Sequence, residues 1–154
     1  MIKLKTVVDR FDLNRFVTAQ ADHYAAAIVE LRAGRKRTHW MWFVFPQYDG
    51  LGFSSTAQHY AIKSLDEART YLQHPVLGAR LIACAQLVTG LSGSTLDEIF
   101  GYPDALKFCS SMTLFEQVAG PDSPFSLALD RCCGGKRDAA TLKLLGKEEN
   151  QPWP

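Results

Sequence analysis

Ser55-Thr56-Ala57-Gln58, Ser64-Leu65-Asp66-Glu67 and Thr95-Leu96-Asp97-Glu98 each place a hydroxyl three residues ahead of a carboxylate or amide. At that spacing the hydroxyl can accept a backbone N–H of the first helical turn. The acidic or amide side chain can then reach back to the N–H of the capping residue, which pairs two donors a helix start leaves free. Starts this close together leave room only for short helices between them. The stop signals agree. Gly34, Pro46, Pro75 and Gly101 each follow an apolar stretch, where proline or glycine breaks the helical ladder. Pro103 suits the first position of a further helix.

Apolar periodicity fills the intervals. Leu13, Phe16, Val17, Tyr24, Ala27, Ile28 and Leu31 recur at helical spacing, which predicts one helix from an Asp12 cap to Gly34. Leu77, Leu81, Cys84, Ala85, Val88 and Leu91 mark a second amphipathic helix, Val76 to Leu91. Further helices are expected from Pro103 to about Ala119, from Pro124 to Cys133 and from Asp138 to Leu145. Val7-Val8 is a β-branched pair outside the aromatic segment, too short for a confident strand. The expectation is all-α: a single compact multi-helical domain over residues 1–146, about seven to eight helices, no substantial sheet, and a frayed tail over 147–154. A length of 154 residues suits one such core.

Composition narrows the function classes. A formal net charge of +1 argues against bulk nucleic-acid binding, which needs a strongly basic face. The longest strongly apolar run, Trp40 to Phe45, is far short of the roughly 20 residues of a membrane span, so a cytoplasmic protein without membrane contact is expected. Cys84, Cys109, Cys132 and Cys133 form no Cys-x-x-Cys pair. Reduced, helix-packed thiols are expected rather than a vicinal disulfide, and no metal. With no Gly-x-Gly-x-x-Gly or Walker pattern, no cofactor is expected either.

The chemistry-bearing stretch is Gly34 to Gly52, where Arg35, Lys36 and Arg37 run into His39, Trp40, Met41, Trp42, Phe43, Val44 and Phe45. Arginine forks grip phosphate and carboxylate oxygens, indoles stack on planar rings, and histidine moves protons near neutrality. Arg35, Arg37, Trp40, Trp42, Gln47, Gly50 and Gly52 are therefore the candidate ligand-binding residues of this stretch, and His39 the candidate acid–base. Phe43 and Val44 read as core. Gln20 interrupts an apolar stripe, so it either bonds to backbone or faces the pocket. Lys107 and Ser111 share a helical face at i and i+4 and supply an opposite wall. Together they suggest a pocket for a small anionic, nucleotide- or ADP-ribose-like ligand, and hydrolysis or glycosyl-type transfer as its natural chemistry. Were the Trp40–Phe45 aromatics exposed, the same segment would serve a non-catalytic protein-interaction module.

Several long motifs resemble the bacterial domain-of-unknown-function family 1810. They are Phe16-Val17-Thr18-Ala19-Gln20, Arg35 to Gln47, Gly50-Leu51-Gly52, His74-Pro75-Val76-Leu77-Gly78, Ile99 to Asp104, and Ser110-Ser111-Met112-Thr113-Leu114-Phe115. The resemblance implies a small, mainly helical bacterial protein of unestablished activity. Members sometimes carry a calpastatin-like label, but calpastatin resembles a disordered inhibitor, while this chain is patterned as a folded core. A fainter similarity links Ser55 to Tyr60 with helical proteins of NAD and ADP-ribose metabolism, whose acidic-His-Tyr segment is here Gln58-His59-Tyr60.

Overall fold

The computed structural model describes residues 8–148. Among them run ten helices, in chain order α1 Asn14–Ala21, α2 Tyr24–Arg32, α3 Met41–Val44, α4 Ser55–Tyr60, α5 Leu65–Gln73, α6 Leu77–Thr89, α7 Leu96–Phe100, α8 Asp104–Ala119, α9 Pro124–Cys132 and α10 Ala139–Glu148. The all-α expectation holds. The only strand-like pairing among the described residues is one isolated bridge, Tyr48 to Ile62.

The count of seven to eight helices is corrected to ten. The expected Asp12–Gly34 helix is two helices, broken at Asp22 and His23, both weak helix formers. Nor does Asp12 cap α1. Asp9 does so, its carboxylate accepting the N–H groups of Leu13 at 2.7 Å and Asn14 at 2.8 Å. Asp12 sits instead at φ 52°, a left-handed conformation for a residue other than glycine. In the aromatic segment only Met41–Val44 is helical. Phe45, forced extended ahead of Pro46, has ψ 75°.

The capping boxes form to differing degrees. Thr95 and Glu98 make both reciprocal bonds. Ser64 accepts the Glu67 N–H, but the Glu67 carboxylate turns to the Lys63 N–H. α4 is capped by Ser54 rather than Ser55.

α8 organises the core. Ala105, Phe108, Met112, Leu114 and Phe115 are buried along it, and α5, α9 and α10 pack against it, with α6 bridging α5 and α9. Buried Phe and Leu side chains contribute roughly 1.5–3 kcal/mol each. Cys109 of α8 is disulfide-bonded to Cys133 at the end of α9, Cα–Cα 6.0 Å. This corrects the expectation of reduced thiols, since the two cysteines meet across an α8–α9 contact that local spacing cannot reveal. Cys84 and Cys132 are free. Arg137, bonded to Glu116 and Asp130, and Asp138, which caps α10 through Thr141, latch the last helix to α8 and α9. α10 runs two residues past the expected domain end, and residues 149–154 of the expected tail lie outside the described residues, as does Val7.

Two glycines give opposite expectations. A Cβ on Gly78 would lie 2.0 Å from the Leu72 carbonyl oxygen, whereas one on Gly146, within α10, would meet nothing. Gly78→Ala is expected to lower unfolding stability by about 2 kcal/mol or more. Gly146→Ala should raise it by about 0.5–1 kcal/mol. Urea denaturation of both variants measures this.

Candidate functional site

The cationic turn after α2 is built around a carboxylate of the chain itself. Gly34 reverses the chain at φ 76°, and the Arg35 N–H returns to the Glu30 carbonyl. Glu30, buried at 7% exposure, then collects the Arg37 N–H at 2.6 Å, the Thr38 N–H at 2.9 Å, the Thr38 hydroxyl at 2.6 Å and the Trp40 indole N–H at 3.0 Å. Burial alone would raise the carboxyl pKa. The hydrogen bonds from Thr38, Arg37 and Trp40 outweigh it and hold the group down at about 2.

This arrangement sorts the candidate residues. Trp40 is fully buried on Phe45 and Phe100. Its indole N–H belongs to Glu30. Met41, Phe43, Val44 and Phe45 are also buried, which leaves Trp42 as the one partly exposed aromatic of the segment. Arg35, Arg37 and His39 project outward, exposed. Lys36 turns inward. Its N–H donates to the Ile99 carbonyl at 2.7 Å, and its ammonium lies 2.9 Å from Asp104 and 5.3 Å from the Trp40 ring centroid.

Asp104 carries the connection to α8. Its other oxygen is 3.5 Å from the Lys107 ammonium, which sits 5.5 Å from the ring centroid of half-buried Trp42. Trp42 and Lys107 are thus brought together beside the cationic turn. Ser111 lies one turn along α8, fully buried, its hydroxyl without a hydrogen-bond partner in the protein. Its neighbours behave differently. Ser110 and Thr113 bond back to the carbonyls of Leu106 and Cys109, the usual outlet for a helical hydroxyl.

The remaining candidates make contacts within the protein. Gln20 is interior, donating to the Phe43 carbonyl at 2.7 Å and the Tyr71 hydroxyl at 3.2 Å while Arg80 donates to its amide oxygen. Gln47 is half-buried, and its carbonyl accepts the Ile62 N–H. Gly50 sits at φ 101°, a backbone conformation that favours glycine, and a Cβ on Gly52 would meet the Ala57 Cβ at 2.6 Å, so conformation accounts for the first glycine and close approach for the second. The sequence alone gives neither Glu30 nor Asp104 a role in the site. Glu30 had one signal, since it lies three residues after buried Ala27 and beside buried Leu31.

Among the clefts of the described surface are three that none of the sequence-predicted site residues lines. Two of them meet near Arg15 and His59. The third, about 590 Å³, lies between the end of α6 and the start of α9. Among the described residues, no group of three or more His, Cys, Asp or Glu side chains is placed to hold a metal, and no helix is long and apolar enough to cross a membrane.

The model of a family described as a protein of unknown function, DUF1810, matches residues 10–145. No curated protein matches the chain. The chain is similar to a conserved hypothetical protein from Mycobacterium tuberculosis, known from a crystal structure. The two are 54% identical over 90% of this chain and 99% of that one, with a TM-score of 0.88.

Glu30 makes the fold pH-dependent in a definite direction. Its folded pKa of about 2 lies below the ordinary glutamate value of 4.5. Its stabilisation is therefore complete above the unfolded value and is lost as pH falls toward the folded one. Glu30→Gln puts an amide N–H₂ among four donors and is expected to cost about 2–3 kcal/mol near neutrality. Urea titrations between pH 7 and 2 should show the wild-type advantage over this variant shrinking as the pH drops.

Proposed function

The chain belongs to DUF1810, a family of unknown function, so its role must come from its own geometry, and we propose that the corner formed by Trp42, Lys107 and Ser111 binds a small anionic ligand. The observation that carries this reading is the Lys107 ammonium set over the Trp42 ring, one helical turn from a buried hydroxyl that no protein group satisfies. Lys36 and Lys107 share the single carboxylate of Asp104, which leaves a local excess of positive charge. A phosphate or carboxylate would balance it, and on a local opening that admits the anion the enclosed Ser111 hydroxyl would gain an acceptor. Trp42 offers a flat apolar face for the ring of a nucleotide- or ADP-ribose-like molecule. Arg35 and Arg37, fixed at the backbone by Glu30, add cationic field from the neighbouring turn. The finer part of the proposal, hydrolysis or glycosyl-type transfer, assigns the moving proton to His39.

Calorimetric titration with a nucleotide and ADP-ribose panel tests binding, and Ser111→Ala makes the test specific. Removing an unpaired buried hydroxyl should leave stability unchanged or raise it by about 1 kcal/mol, while affinity falls. Lys107→Met should weaken binding by about tenfold or more. Absence of heat with every ligand at millimolar concentration would overturn the reading, as would wild-type affinity in both variants. His39→Ala should keep the affinity and abolish turnover of whichever panel member is consumed.

A further inference from the structure

Arg15 commits all its donors to the protein. Its Nε donates to the His59 carbonyl at 2.9 Å, one terminal nitrogen to the carbonyls of Phe11 at 2.6 Å and Asp12 at 2.8 Å, and the other to the Ala61 carbonyl at 3.0 Å and Glu67 at 2.6 Å. Both partners of the Arg15–Glu67 pair are nearly buried, at 8% and 3% side-chain exposure. A buried pair costs desolvation unless its geometry and further hydrogen bonds repay it, and here the guanidinium is saturated. The result is a rigid partition binding the turn before α1 to the segment after α4.

Two clefts meet at that partition, about 510 Å³ and about 420 Å³, and Asp12, Arg15 and His59 line both. Asp12 holds its left-handed backbone at this shared edge, a conformation that persists only where the surroundings impose it. The larger cleft adds Arg10, Gln58, Lys63 and Ser64. With Arg15 and Glu67 neutralising each other, Arg10 and Lys63 outnumber Asp12. Lys63 pairs loosely with Asp49 at 3.9 Å, both side chains at least half exposed, a solvent-screened contact that leaves donors of the ammonium open to a ligand.

The smaller cleft has different chemistry. It adds Asn14, Thr18, Asp22, His23 and Tyr60, and its wall is a run of ring contacts. His23 lies 5.4 Å from Phe43, Phe43 lies 5.3 Å from Tyr60, and Tyr60 lies 4.6 Å from His59, centroid to centroid. Beside this wall stand the carboxylates of Asp12 and Asp22, acceptors suited to ring N–H donors.

We propose that this double cleft binds a molecule in which an anionic group is joined to a planar nitrogen heterocycle, the anion against Arg10 and Lys63 and the ring along the His59–Tyr60–His23 wall. The site is independent of the Trp42–Lys107–Ser111 corner and shares no residue with it. Phosphate and carboxylate would serve equally as the anion, so the test separates them. Histidine ring resonances are followed by NMR while uridine monophosphate, orotate, uracil or inorganic phosphate is added. The two joined ligands should shift both His59 and His23 and bind about tenfold or more tightly than uracil or phosphate alone. Whichever joined ligand binds more tightly identifies the anion. Lys63→Met should weaken the joined ligands by about tenfold and leave uracil unchanged. Lys107→Met should leave all these shifts in place, which keeps the outcome separate from that of the other corner. The proposal is overturned by His59 and His23 remaining unmoved at millimolar uridine monophosphate and orotate. It is equally overturned if phosphate alone reproduces the joined ligands, or if Lys63→Met binds like wild type.

Discussion

One buried carboxylate fixes the part of the molecule on which the proposed chemistry depends. Glu30 sits at the end of α2 and gathers the donors of the following turn, including the indole N–H of Trp40. A carboxylate that accepts several charge-assisted hydrogen bonds stays ionised at far lower pH than a free one. The turn is therefore ordered from inside, around an anion that the chain supplies. Trp40 is drawn into the core, Arg35 and Arg37 are turned outward, and Lys36 is left to reach Asp104 on α8. From Asp104 the same chain of charge continues to Lys107 and Trp42.

The consequence is a division of labour between neighbouring residues of one sequence stretch. A run of cations and indoles invites the picture of a single pocket, every side chain facing one ligand. The helical geometry of α3 and the demands of Glu30 distribute them instead among core, surface and corner. The same logic governs Arg15, a cation whose whole donor set is absorbed by carbonyls and Glu67, so that it shapes clefts without facing a ligand.

Much of the fold was legible because its signals are local. Thr95 and Glu98 sit three residues apart and cap their helix as that spacing requires, and glycine and proline mark most helix ends. What escaped was non-local or a matter of one residue's choice. Asp9 outcompetes Asp12 as cap because its carboxylate reaches two N–H groups at once. The Cys109–Cys133 bond joins residues 24 apart in sequence, which only the packing of α8 against α9 brings together. In the candidate site, spacing alone assigns Lys107 and Ser111 to one helical face, and the place of Gln20 in an apolar stripe already suggests an amide bonded to backbone. No sequence rule says that Trp40 would donate its indole N–H inward while Trp42, two residues on, stays half-exposed.

Amide proton NMR of Arg37 and Thr38 as a function of pH addresses the organising role of Glu30 most directly. Both N–H groups donate to Oε1 of Glu30, so their chemical shifts should stay constant down to about pH 4 and titrate together with the carboxyl near the value of about 2. Titration near 4.5, the value of an unperturbed glutamate, or amide shifts indifferent to pH, would contradict a turn held together by this carboxylate.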